Sequence, residues 1–131
     1  MKRNGDWIKS LYEAAGRGDF PTFLNALDAQ IEWREADGSP YAEAQPFKGP
    51  AAVGSLLGRI GADVDEFAVV PQNIIDGGDT VVVEGRYRGT VKATRKPLDA
   101  QFAHVWRIRN GKVVAFQQYT DTKQWTEACG R

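Results

Sequence analysis

The chain is poor in the residues that build metal centres and cross-links. Its 131 residues include one histidine, one cysteine and one methionine. The single cysteine, Cys129, closes no intrachain disulfide and fits a reducing compartment. One histidine and one terminal cysteine give no spacing for a structural zinc site, so no metal is expected. Charge of one sign is also missing: 17 basic residues balance 17 acidic ones, leaving no net field to draw nucleic acid or an anionic membrane. No run approaches the ~20 apolar residues of a membrane span, and the stretch from Met1 to Asp6 is polar, unlike a signal core. Phosphate loops, dinucleotide fingerprints and nucleophile elbows are lacking, and no cofactor is expected. These absences lead to a cytoplasmic protein with neither nucleic-acid nor membrane partner.

What is present is apolar and aromatic. Hydrophobic residues make up 42% and aromatics 11% of the chain, with no linker or repeat, which predicts one globular domain over residues 1–131. Asp6 is placed to cap a helix whose apolar positions are Trp7, Ile8, Leu11, Tyr12 and Ala15. A second helix starts near Asp19-Phe20-Pro21 and buries Phe20, Phe23, Leu24 and Leu27. Residues 31–35 alternate like a strand, and Gly49-Pro50 opens a third helix. From about Asp63 the pattern becomes strands: 67–75, 80–94, 100–109 and 112–121. Asn110-Gly111 is the strongest hairpin signal. Helices followed by a mostly antiparallel sheet predict an α+β domain with helices on one face.

A two-residue turn at Asn110-Gly111 sets Arg109 opposite Lys112, His104 opposite Gln117 and Phe102 opposite Tyr119. Alternation then gathers Phe102, His104, Trp106, Ile108, Val113, Ala115, Gln117, Tyr119 and Asp121 on one face. A turn centred on Arg95-Lys96 adds Val83, Gly85, Tyr87 and Gly89 to that face, with Tyr87 beside His104. Glu84, Arg86, Arg88, Arg107 and Arg109 fall on the other face, a solvated or dimer-forming surface. Polar groups on an otherwise apolar inner wall, under helices, describe a small-molecule cleft. Trp33, Glu35, Tyr41 and Trp106 are its expected mouth and walls.

The segments Gly18-Asp19-Phe20, Ile31-Glu32-Trp33, Phe47-Lys48-Gly49-Pro50, 78–85, 104–113 and Tyr119-Thr120-Asp121-Thr122 together carry a resemblance across nearly the whole chain. It resembles the nuclear transport factor 2-like (NTF2-like) superfamily, within it the SnoaL-like polyketide cyclases and relatives of ketosteroid isomerase. The resemblance implies a cone-shaped α+β barrel whose curved sheet and three N-terminal-half helices enclose a pocket, and a homodimer through the outer sheet face. Steroid isomerases of this superfamily carry a carboxylate base at the position of Trp33 and an oxyanion pair at Leu11 (Tyr12 is one residue off) and His104. None is retained, so that mechanism as such is not expected. SnoaL-like cyclases use an aspartate of the last strand, for which Asp121 is the counterpart.

The leading expectation is therefore a small cofactor-independent enzyme performing isomerisation, cyclisation or hydration on a hydrophobic, carbonyl-bearing molecule. Asp121 is its acid/base and His104 a second proton donor or oxyanion partner. Tyr87, Tyr119 and Gln117 position the substrate against Phe102 and Trp106. The expected register separates Asp121 from His104 by about 13 Å along the strand, so they flank a ligand and do not form a dyad. Two other readings stay open: a binding module without catalysis, and a dimeric interaction protein whose cleft is filled by side chains.

Overall fold

The computed structural model describes residues 3–131. Its elements run α1 (Asn4–Gly16), α2 (Phe20–Asn25), β1 (Leu27–Arg34), β2 (Phe47–Lys48), α3 (Gly49–Asp63), β3 (Val64–Asp76), β4 (Thr80–Val91), β5 (Pro97–Arg109), β6 (Lys112–Thr120) and α4 (Thr122–Ala128). The six strands form one curved, unclosed sheet in the order β2-β1-β6-β5-β4-β3. All neighbours are antiparallel except β1 and β6. Among the described residues, no helix is long and apolar enough to cross a membrane.

The helices arise largely where their signals lie. Asp19 caps α2 by accepting from Thr22 N at 3.2 Å, and proline occupies the first turns of α2 and α3. Helix α1 begins before the expected cap. Asp6 sits inside its first turn, where a carboxylate favours the positive helix end. Ile8, Leu11 and Ala14 bury the helix against the sheet, whereas Phe20 is 45% exposed instead of buried. A fourth helix, α4, was not expected. Asp121 starts it, its side chain accepting from Gln124 N at 3.1 Å.

The sheet register explains which side chains reach the concave face. Between β4 and β5 the chain turns over residues 92–96, with Val91 N donating to Lys96 O and Arg95 N to Val91 O. Tyr87 therefore pairs with Ala100, not His104, and Val83 pairs with His104. The displacement is four residues. An even shift preserves faces, so Val83, Tyr87, Phe102, His104 and Trp106 are all buried on the inner side.

Between β5 and β6 the outcome is opposite. Arg109 pairs with Lys112 and Ile108 with Val113, as the turn requires, but Arg107 then pairs with Ala115. Val114 is one residue too many, a β-bulge, and every later side chain of β6 changes face. Phe116 and Gln118 are buried inside at 3% and 4% exposure. Gln117 and Tyr119 leave the expected inner set, and Tyr119 is 58% exposed.

Candidate functional site

Between the concave sheet face and the helices lies a cavity of about 480 Å³, a size that suits small-molecule sites. Its wall includes Trp33, Glu35, Tyr87, His104 and Trp106 from the expected set. The two indoles line the cavity and do not fill it. Tyr41, Phe102, Gln117, Tyr119 and Asp121 lie outside that wall. Tyr41 is buried elsewhere, donating its hydroxyl to Asp63 at 2.7 Å. Phe102 stands beside the imidazole of His104, stacked at 3.9 Å between centroids. Gln117 donates its amide to the backbone carbonyl of Gln118. Asp121 is exposed at the start of α4, so the expected acid/base faces solvent.

His104 is the centre of a buried chain of hydrogen bonds. The Tyr12 hydroxyl lies 2.6 Å from Nδ1 and the Tyr87 hydroxyl 2.5 Å from Nε2. Trp106 Nε1 donates to Tyr12 Oη at 2.9 Å, and Gln118 Nε2 donates to Tyr87 Oη at 2.8 Å. The orientation of the Gln118 amide is fixed from behind, because its oxygen accepts from Ala36 N at 3.0 Å. Burial pushes the imidazole pKa down to about 3, so the ring is neutral. Burial also raises the ionisation of both phenols well above the ordinary tyrosine range, so they hold their protons.

Proton counting then has a consequence. A neutral imidazole has one N–H and one acceptor nitrogen. One phenol must donate to it and the other must accept from it. Each phenol oxygen already accepts from a fixed N–H, Trp106 for Tyr12 and Gln118 for Tyr87. The phenol that accepts from His104 therefore has a hydroxyl proton with no acceptor in the network. In either tautomer, one O–H remains for a ligand oxygen.

Glu35 supplies the second polar feature. It follows the end of β1, and Gln45 clamps its backbone from both sides: Glu35 N donates to Gln45 Oε1 at 2.6 Å, and Gln45 Nε2 donates to Glu35 O at 2.9 Å. The carboxyl is 4% exposed. Oε2 accepts from Trp33 Nε1 at 3.1 Å, whereas Oε1 has no partner among the described residues. Burial outweighs that single bond and lifts the pKa to about 7. A carboxyl that titrates near neutrality in a cavity is fitted to accept a proton and give it back.

Several wall residues were not found from the sequence. Tyr12 was assigned to the buried stripe of α1 but not to the site. It stands against His104, whereas Leu11, the aligned position, is core. Phe116 and Gln118 lie on the expected strand, but alternation from the Asn110-Gly111 turn directs them to the outer face, and the bulge at Val114 turns them inward. Trp125 belongs to the unexpected α4. The one available signal for that helix is Asp121 itself, a good N-cap ahead of Thr122-Lys123-Gln124. Among the described residues, no group of three or more His, Cys, Asp or Glu side chains is placed to hold a metal ion.

A sheet wrapped around an aromatic cavity and closed by helices is the NTF2-like architecture. The SnoaL-like domain matches residues 8–116, and the chain belongs to that family. An NTF2-like protein from Burkholderia thailandensis E264 shares 32% identity over 98% of both chains, with a TM-score of 0.92. An NTF2-like protein of unknown function from Burkholderia pseudomallei K96243 shares 30% identity over 98% of both chains, with a TM-score of 0.87. TerC, co-crystallised with polyporic acid, superposes with a TM-score of 0.82 at 22% identity over 95% of both chains, a likeness of fold alone. Among curated proteins, none matches the sequence significantly. The family and fold resemblance read from the sequence is borne out.

Proposed function

We propose that the protein is a cofactor-independent SnoaL-like enzyme that moves a proton next to a carbonyl of a hydrophobic small molecule, by isomerisation, cyclisation or hydration. The observation that carries this reading is the pairing, in one cavity, of a carboxyl poised near neutrality with a network that offers one phenolic proton. Glu35 takes the role given to Asp121 in the sequence reading. Ionised, it removes a proton from the carbon beside the carbonyl, and the acid so formed returns it to another position. The free phenolic O–H of Tyr12 or Tyr87 donates to the oxygen on which negative charge develops. His104 acts as a neutral donor–acceptor that sets which phenol does so. Its low pKa makes it unsuited to being the base.

Exchange of carbon-bound hydrogen tests this without knowledge of the natural substrate. Hydrophobic ketones and enones incubated with the protein in deuterium oxide should lose α-proton NMR intensity faster than in buffer. Glu35→Gln should bring the rate back to background. If ligands bind and raise the melting temperature but the wild-type protein exchanges nothing across the panel, the protein is a binding module and the catalytic reading falls.

The same reading includes a homodimer through the outer sheet face, where Tyr119 is exposed and Val82 and Val105 are partly so. Sedimentation should give twice the mass of the chain, and Tyr119→Asp should lower it to one.

A further inference from the structure

Among the described residues, the cavity wall contains two carboxylates, Glu35 and Glu66, and no lysine or arginine. Glu66 is there by an unusual route. On β3, Asp65 pairs with Thr90 and Ala68 with Arg88, so Glu66 and Phe67 together face the single residue Gly89. In one class of such bulges the first residue takes the left-handed region, which glycine adopts most easily. Glu66 has a φ of +52°. The strands are pressed together here, and a Cβ on Gly89 would lie 2.9 Å from Asp65 O.

The neighbouring Asp65 takes the local cations, Arg95 at 3.1 Å and Lys92 at 3.7 Å. No side chain among the described residues pairs with Glu66. Its side chain is exposed to solvent where it borders the cavity beside Phe67. Strain kept at a cavity, where glycine would relieve it, points to a use for the side chain.

We infer that Glu66 receives a protonated amine, and that the molecule taken by this cavity is a hydrophobic compound carrying a basic nitrogen. Aromatic faces that line the same cavity, Phe67 and Trp125 among them, add cation–π attraction. A ligand bearing a free carboxylate would instead meet two like charges and no cation. This inference rests on the proposed function only in taking the cavity as a small-molecule site, and it does not require turnover.

Calorimetric titration at pH 8 with three probes of one shape tests it: 2-(2-naphthyl)ethylamine, 2-(2-naphthyl)ethanol and 2-naphthylacetate. The amine should bind about tenfold more tightly than the alcohol, and the carboxylate should not bind. Glu66→Gln should remove the preference for the amine and leave alcohol binding unchanged. Glu66→Gly should remove the same preference while raising the melting temperature, because the backbone strain is relieved. Equal binding of amine and alcohol by the wild type overturns the inference, as does a preference that survives Glu66→Gln. A preference lost in Glu35→Gln alone reassigns the amine to Glu35 and overturns it too. Failure of all three probes to bind removes the small-molecule site itself, and this inference with it. Absence of ketone exchange leaves the titration result standing, so the two readings fail separately.

Discussion

His104 and Glu35 line the same cavity, and burial acts on both in the same sense, against charge. The results differ because His104 is neutral once it loses a proton and Glu35 once it gains one, so burial lowers the first pKa and raises the second. His104 has a phenol on each ring nitrogen and stacks beside Phe102, and its pKa is driven to about 3, far below any working pH. It behaves as a fixed dipole. Glu35 has a donor on one oxygen only, and its pKa is lifted to about 7. It gains and loses its proton near neutrality. A buried ionisable group is thus silent or reactive according to where desolvation moves it relative to neutrality, not according to how deeply it is buried.

The sharpest way to break the comparison is to remove the carboxyl proposed as the base. Glu35→Gln should slow α-proton exchange by about 10²–10⁴-fold. In the wild type the rate should climb with pH through a midpoint near 7, as the carboxylate forms. A flat pH profile measured by NMR would dissociate exchange from Glu35.

Removing both phenols comes next. Tyr12→Phe with Tyr87→Phe should slow exchange by about 10²–10³-fold, and either change alone by much less. The imidazole can change tautomer and pass the free proton to whichever phenol remains. Additive single effects in the same assay would contradict the proton count.

The same two groups make opposite contributions to stability. For Glu35 the folded pKa is raised above the unfolded one, so the native state holds the extra proton between pH 4.5 and about 7. Its unfavourable effect therefore grows as pH rises through that window. For His104 the folded pKa is depressed, so the unfolded state holds the extra proton between about 3 and 6.5. Stability from its neutral burial is complete above pH 6.5 and lost as pH falls toward 3. Glu35→Gln should accordingly stabilise the protein at pH 8, by an amount on the order of 3 kcal/mol, and much less at pH 4. Denaturant melts at the two pH values measure this, and an equal effect at both would show that Glu35 is not held near neutrality.

The smallest effect is expected outside the cavity. Asp121→Asn should leave both exchange and melting temperature unchanged, because asparagine caps α4 as well as aspartate does. A large loss of exchange would return the acid/base role to Asp121.

How much of this was legible beforehand follows from parity. The inner face of β4 and β5 was readable because the turn between them displaced the register by four residues, and an even error leaves faces intact. The far half of β6 was not, since the bulge at Val114 has no signature in a sequence where Lys112-Val113-Val114-Ala115-Phe116 permits either phase. That one residue moved Gln117 and Tyr119 outward and brought Phe116 and Gln118 in. The fold was legible from caps, turns and the resemblance. The site was legible in part: Trp33, Glu35, Tyr87, His104 and Trp106 line the cavity as expected. The roles were harder. What sets the two groups apart is how each is buried and hydrogen-bonded after folding, and Tyr12, Gln45 and Gln118 come from distant stretches of chain.

The central contrast rests on where Glu35 titrates. Carbon-13 NMR of the side-chain carboxyl, assigned by its loss in Glu35→Gln, measures this directly. A midpoint near 7 is predicted, while a midpoint at the ordinary glutamate value of 4.5 or below would contradict the account.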